Sequence, residues 1–141
     1  MFVKQISVFV ENKFGRLANI IEVLGKNNID ISALSIADTT DFGILRMIVD
    51  DAEKAVLVLK EEGVAVKLTE VIAVALDDKP GGLAEVMTTL TANEITIDYM
   101  YAFVGKKHGK ALMVVKADDM EKSAKVLTEH HITVMDINDI Y

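Results

Sequence analysis

Apolar and polar residues alternate along the first stretch of the chain, and this period of two predicts a strand over residues 3–10. After Gly15 the apolar residues instead recur three and four positions apart, which predicts an amphipathic helix over residues 15–28. Its apolar stripe consists of Leu17, Ile20, Ile21 and Leu24. The chain therefore begins with a strand followed by a helix.

The same two periods predict the rest of the first half. Strands over residues 29–38 and 43–49 flank a polar turn, Thr39-Thr40-Asp41. A second helix begins at a cap, Asp50 or Asp51, and ends at Glu62 because Gly63 stops it. A fourth strand covers residues 64–68.

The second half has the same order of elements. The pattern predicts strand, helix, strand, strand, helix and strand over residues 71–76, 81–93, 95–104, 110–116, 120–130 and 132–140. Asp118 or Asp119 is the expected cap of the second helix.

The halves are also related residue by residue, which indicates an internal repeat. Early positions match at an offset of 66, as in Lys13 and Lys79, Gly15 and Gly81, Leu17 and Leu83. Later positions match at an offset of 68, as in Leu59 and Leu127, Val66 and Val134. The two extra residues fit best in the polar turn over residues 104–109, where a hairpin tolerates insertion. We therefore predict two domains, residues 1–69 and 70–141.

Two strand–helix–strand crossovers around a hairpin predict an α+β fold for each repeat. This is the ferredoxin-like βαββαβ arrangement, an antiparallel four-stranded sheet with both helices on one face. Residues 71–76 are apolar on both alternating faces, so the opposite face of the sheet is expected to be covered too. The cover is either the other repeat's sheet or a second subunit, and we predict a homodimer.

Composition narrows the possible functions. The absence of cysteine excludes disulfides, thiolate metal sites and thiol catalysis. A formal charge of −7 disfavours binding to nucleic acid. The first residues do not have the pattern of a signal peptide, and no apolar run has the roughly 18 residues needed to span a bilayer. We expect a cytoplasmic protein without membrane association.

The turn between the first strand and the first helix of each repeat is the strongest candidate for chemistry. A helix start exposes unpaired N–H groups and the positive end of the helix dipole, which suit a carboxylate. Gly15, Gly81 and Gly82 lack a Cβ, so a ligand can approach the backbone. Asn12 precedes the first turn and could pair with either a carboxylate or an ammonium group, whereas Asp77 or Asp78 before the second turn suits an ammonium group. Ordinary caps and turns use the same residues, however, so the local pattern alone is weak.

The sequence D-x-P-G-x-L-A in the second turn, Asp78-Lys79-Pro80-Gly81-Gly82-Leu83-Ala84, resembles the ACT domain family. The first turn is a variant of it, Asn12-Lys13-Phe14-Gly15-Arg16-Leu17-Ala18. Element order and repeat length agree with that family over essentially the whole chain. The stretch around Asp41–Arg46 and the strand Tyr99-Met100-Tyr101 are similar to stand-alone tandem ACT proteins without an enzyme domain.

The resemblance implies a non-catalytic regulatory protein that binds a free amino acid at an interface between ACT domains, with a metabolic enzyme as the partner to which it reports. Carried over by position, the ligand-binding residues are Asn12, Gly15, Arg16, Leu17, Ser35 and Ile36 in the first repeat, and Asp78, Gly81, Gly82, Leu83, Tyr99 and Tyr101 in the second. Phe14 replaces the proline of the family, which leaves open whether both turns bind equally. Neither catalytic residues nor a metal or cofactor are expected.

Other functions remain to be compared with this one. The same strand order builds RNA-binding sheets, but neither repeat has their aromatic signature on its third strand. No nucleophile, metalloprotease or phosphate-binding motif points to an enzyme. Tyr99, Tyr101 and Phe103 share one strand face and fit a core as well as a ligand site. A dimerisation or regulatory subunit of an enzyme, without a ligand of its own, fits the same fold-level features.

Overall fold

The computed structural model describes residues 2–38 and 41–141, so Thr39 and Thr40 of the expected polar turn lie outside the described residues. The chain forms two compact units. One is Lys4–Thr69, and the other is Glu70–Tyr141 together with the N-terminal residues as far as Val3.

The Lys4–Thr69 unit is built from three strands, two helices and the beginning of a fourth strand. These are β1 (Val3–Glu11), α1 (Arg16–Lys26), β2 (Ile31–Asp38), β3 (Phe42–Val49), α2 (Ala52–Glu61) and β4 (Val66–Asp77), of which the part up to Thr69 belongs here. The strand order is β2-β3-β1-β4, and β3 is antiparallel to both of its neighbours. The long alternating strands and the amphipathic helices thus assemble as the sequence predicts.

One face of this sheet packs against both helices. The register places Ile6 opposite Met47 and Val8 opposite Leu45, so these side chains share a face. They are buried together with residues of the two helices, Ile20, Leu24, Ala55 and Leu59. Burial of these apolar side chains is the main stabilising term for the unit.

The second unit repeats the plan. The rest of β4 is followed by α3 (Gly82–Ala92), β5 (Ile97–Ala102), β6 (Lys110–Ala117), α4 (Met120–Glu129), β7 (Thr133–Met135) and the short α5 (Ile137–Ile140). The strand order is β5-β6-β4-β7. Its core joins sheet and helices through Ile72, Val74, Val115, Val86, Leu90 and Leu127. The predicted α+β fold of two βαββαβ repeats is confirmed.

The sheet face opposite the helices is buried as well. Gln5, Ser7 and Ile48 are buried in the first unit, where the Gln5 side-chain amide donates to the Ser7 hydroxyl at 3.1 Å. Val71, Ala73 and Val114 are buried in the second. The homodimer stays a prediction.

Two predicted element boundaries are wrong. The strands expected over residues 64–68 and 71–76 are one strand, β4, because no glycine or proline between them interrupts the extended backbone. The strand expected over residues 132–140 stops at Met135 and is followed by α5. There the Asp136 and Asp139 side chains accept backbone N–H groups in a capping box, which stabilises a helical turn instead of a strand.

Smaller differences concern the ends of other elements. The helix α1 begins at Arg16 because Gly15 is left-handed, with φ 80°, and the same holds for Gly81 before α3, with φ 87°. Strand β5 is shorter than the expected residues 95–104 and carries an irregularity between Ile97 and Tyr99. Asp51 and Asp119, rather than their neighbours, cap the second helix of each repeat.

Candidate functional site

In the first repeat a tight turn connects β1 to α1. The Lys13 amide donates to the Glu11 carbonyl at 2.8 Å, and the Arg16 amide donates to the Lys13 carbonyl at 3.2 Å. Gly15 closes the turn at the N-cap and offers no side-chain acceptor. Among the described residues, no acceptor takes the amides of Leu17 and Ala18. The turn therefore presents two N–H groups at the positive end of the helix.

The second repeat forms the same turn between β4 and α3. The Lys79 amide donates to the Asp77 carbonyl at 2.9 Å, and the Gly82 amide donates to the Lys79 carbonyl at 3.0 Å. In the described part of the chain, Leu83 and Ala84 correspondingly have amides without an acceptor. A side chain at Gly82 would overlap the Asp77 carbonyl oxygen, which explains why this helix starts with glycine.

A cavity of about 130 Å³ adjoins the first turn, between the end of β1, the start of α1 and the edge strand β2. It is lined by Val10, Glu11, Asn12, Lys13, Leu17, Ile36 and Gly43. One side of the cavity is thus polar and the other apolar, an arrangement suited to a small ligand that carries both charged and aliphatic groups.

Gly43 keeps this cavity open. A Cβ added there would lie 3.6 Å from Cγ2 of Ile36 and 3.7 Å from Oδ1 of Asn12, ordinary van der Waals distances. An alanine would therefore occupy space in the cavity without forcing the backbone to move. At the equivalent position of the second repeat, 68 residues later, stands Ala111.

A second cleft lies on the other side of the same helix start. It has a volume of about 190 Å³ and includes Glu11, Arg16, Asn19 and Phe42 in its wall. A smaller cleft of about 90 Å³ occupies the same place in the second repeat. Every residue that lines the cleft of the first repeat corresponds, at the offset of 66 or 68, to a residue that lines the cleft of the second. These clefts follow from the repeated fold.

A carboxylate at the end of the first strand of each repeat gives the turns a fixed negative charge. A hydrogen bond from Lys13 at 2.9 Å, with the charges of Lys13 and Arg16, holds the pKa of Glu11 below its ordinary value. A hydrogen bond from Lys110, with the charges of Lys110 and Lys79, lowers the pKa of Asp77 likewise. Both groups are ionised at neutral pH, and each turn combines a carboxylate with lysine.

The structure brings only some of the expected ligand-binding residues to the cavity. Asn12, Leu17 and Ile36 line it, and Gly15 forms the turn beside it. The Arg16 side chain instead lines the neighbouring cleft, with Nη2 3.7 Å from Oε1 of Glu11. Ser35 pairs with Arg46, and Arg46 pairs with Ser7, so Ser35 lies on the sheet face turned away from the helices. Ile36, the next residue, lies on the other face.

In the second repeat, Gly81 and Gly82 form the turn, Leu83 is partly exposed beside it, and Asp78 forms an ion pair with Lys106. Tyr101 pairs with Val114, and Val114 pairs with Ala73, so these three side chains share the sheet face turned away from the helices. Tyr99, two residues before Tyr101 on the same strand, lies on that face too. Tyr101 and Phe103 are buried, as expected for a core.

The sequence interpretation missed four residues of the cavity, Val10, Glu11, Lys13 and Gly43. Glu11 corresponds to Asp77 at the repeat offset of 66, and this match is the signal that could have identified it. Gly43 had no such signal, because its neighbour Asn12 is distant in sequence.

The described residues contain no group of three or more His, Cys, Asp or Glu side chains placed to hold a metal ion. No helix in residues 2–38 or 41–141 has the length and apolar character needed to cross a membrane.

The fold and the twin turns define a tandem pair of ferredoxin-like modules. Residues 1–141 match the ACT domain pair family, and the chain belongs to that family. The resemblance noted in the sequence is thereby confirmed. No curated protein matches the sequence.

Solved structures share this fold. Protein BT0572 from Bacteroides thetaiotaomicron is 42% identical, with a TM-score of 0.93 over 100% of this chain and 96% of that chain. The ligand-free regulatory subunit of aspartate kinase from Thermus thermophilus is 14% identical, with a TM-score of 0.63 over 89% and 90%. The regulatory subunit from Thermus flavus is 13% identical, with a TM-score of 0.61 over 91% and 92%. At these low identities the two Thermus proteins establish the shared fold.

Proposed function

We propose that this protein is a non-catalytic regulator that binds a free amino acid in the cavity beside the first turn. The observation that carries the proposal is the conjunction of two unpaired amides, Leu17 and Ala18, with an adjoining cavity.

Each part of an amino acid has a partner there. The two amides and the end of the helix dipole suit its carboxylate, and Asn12 Oδ1 with the ionised Glu11 suits its ammonium group. The aliphatic wall of Leu17 and Ile36 suits an apolar side chain. The volume of about 130 Å³ favours a small side chain.

The second turn offers the same two amides, at Leu83 and Ala84, with Asp78, Gly81 and Gly82 in place of Asn12, Gly15 and Arg16. Ala111 there adds the methyl group that Gly43 lacks. We therefore expect the first repeat to bind the ligand more tightly.

A thermal-shift screen against the twenty amino acids tests the proposal. A ligand that binds only the folded state stabilises it by RT ln(1 + [L]/Kd), which is about 2.7 kcal/mol when the ligand is at 100 times Kd. We expect small aliphatic amino acids to raise the melting temperature. A flat response to all twenty at millimolar concentration would reject an amino-acid ligand and favour the alternative, a regulatory subunit of a metabolic enzyme without a ligand of its own.

Gly43→Ala tests the location of the site. The added methyl group fits without strain but fills the cavity, so the variant is expected to fold normally and to lose the thermal response. Gly25→Ala is the matched control, because a Cβ at Gly25 in α1 meets open space. If Gly43→Ala retained the full response, the ligand would have to bind elsewhere.

A further inference from the structure

The most exposed aromatic side chain among the described residues is Phe14, at the tip of the first turn. Its relative accessibility is 109%, so its ring makes almost no contact within the chain. An aromatic ring is among the most favourable groups to bury, and leaving one in water makes no contribution to the fold.

The second repeat shows that the turn does not need this ring. Pro80 replaces Phe14 there, yet the turn has the same hydrogen bonds and the same left-handed glycine, with φ 87° at Gly81 against 80° at Gly15. Phe14 and Pro80 each precede the N-cap glycine of their helix, so neither ring belongs to the helix itself. The phenylalanine therefore has a use outside the turn.

A groove on the second unit is large and apolar enough to hold such a ring. It lies between Phe2 and one stripe of α4, and its volume is about 540 Å³. Ala124 forms its floor, where the equivalent position in the first repeat holds the larger Val56. The groove is mostly apolar and has ample room for a phenyl ring.

The charges around the two features are complementary. The turn carries Lys13 and Arg16, with exposed side chains at 70% and 51%, against the single acid Glu11. The rim of the groove carries Glu121 and Glu129 against the single base Lys125. The turn is thus net positive by one charge and the rim net negative by one, so an approaching turn is attracted to the groove.

We propose that the Phe14 turn of one molecule docks into the α4 groove of a second copy of this chain. The ring fills the apolar groove, and Lys13 and Arg16 face Glu121 and Glu129. Two copies that dock reciprocally bury two rings. This contact does not depend on the amino-acid proposal, and a flat thermal-shift screen would leave it intact.

Sedimentation velocity of the full chain over a range of concentrations tests the contact. The wild-type protein is expected to associate, and Phe14→Ser is expected to weaken association by roughly 10- to 100-fold, as for a buried aromatic anchor. Val104→Ser is the matched control, since Val104 is also an exposed apolar residue in a turn, at 74%. Association of Phe14→Ser equal to wild type would overturn the proposal.

Thr128→Arg tests the groove, because it places a long cationic side chain where the ring would lie. Its matched control is Thr88→Arg on α3. Thr128 and Thr88 are both exposed and donate to the carbonyl four residues earlier, at 2.8 and 2.9 Å. Thr128→Arg should lose association and Thr88→Arg should keep it. The opposite pattern would exclude the groove.

Mixing distinguishes docking between copies from docking within one chain. Phe14→Ser retains the groove and Thr128→Arg retains the ring, so an equimolar mixture can form one contact that neither variant forms alone. The mixture is expected to sediment faster than either component.

In parallel, Phe14→Trp gives a unique fluorophore, because the chain has no tryptophan. Its emission should shift to the blue as concentration rises. No gain on mixing, or a blue shift independent of concentration, would refute docking between copies.

Discussion

At the scale of single residues, the repeat provides pairs of equivalent positions with the same backbone and different side chains. Gly63 and His131 both follow the second helix of their repeat in the left-handed conformation, with φ 76° and 60°. Both donate to a carbonyl of the last helical turn, at 3.0 and 3.1 Å. Glycine adopts this conformation freely, whereas a residue with a Cβ is strained in it.

His131→Gly is therefore expected to stabilise the protein by about 0.5–1 kcal/mol, the relief of strain less the added entropy of the unfolded chain. The reverse change, Gly63→His, should destabilise it by a similar amount. Urea unfolding midpoints measure both. Destabilisation by both changes would mean that local contacts of His131 outweigh its backbone strain.

At the scale of elements, the second helix of each repeat begins at an aspartate. The Asp51 carboxylate accepts the Lys54 amide at 3.1 Å, and that of Asp119 accepts the Lys122 amide at 3.0 Å. Each preceding aspartate instead fixes the neighbouring strand: Asp50 accepts from the Asp30 amide and Asp118 from the Thr96 amide. Two adjacent aspartates thus have separate roles in both repeats.

Removing the cap, by Asp51→Ala or Asp119→Ala, is expected to cost about 1 kcal/mol of unfolding free energy, because one amide of the first turn loses its acceptor. The same positions changed to asparagine keep an acceptor and should cost much less. Chemical denaturation of all four variants measures these losses of unfolding free energy. Equal losses for alanine and asparagine would show that charge, and not the hydrogen bond, stabilises the helix start.

At the scale of the whole molecule, each unit has its own apolar core, and neither is large. Leu24 in α1 and Leu90 in α3 are equivalent residues, and both are completely buried. A cavity at either position removes contacts that a small core cannot replace.

Leu24→Ala and Leu90→Ala are each expected to destabilise the protein by about 2–5 kcal/mol. Leu57→Ala serves as the control, since Leu57 lies on α2 with 63% exposure and should change stability by less than about 0.5 kcal/mol. Thermal unfolding of the three variants gives the comparison. A small loss for only one buried leucine would show that its unit contributes little to the measured transition.

Local signals were sufficient for most elements. Alternation identified β1, the spacing of Leu17 and Leu24 identified α1, and the aspartates before α2 and α4 marked their starts. Where the local signal was ambiguous, the prediction was wrong. The strand predicted over residues 132–140 ends at Met135, because Asp136 and Asp139 bind nearby amides and turn the backbone into α5.

The candidate site was only partly predictable for a related reason. The turn residues Asn12, Gly15 and Leu17 are close in sequence, so the motif identifies them. Gly43 and Ile36 join them only through the pairing of β2 with β3 and of β3 with β1, which depends on register. A shift of one residue turns a side chain to the other face, and this places Ser35 away from Ile36.

The sequence alone determined the two repeats, their α+β class and the glycine turns, because each depends on the backbone preferences and the periodicity of neighbouring residues. Only the tertiary structure decided that a cavity opens beside Gly43 and that Phe14 stands free in solvent. These features depend on which distant segments the sheets bring together, and on how much space the side chains leave between them.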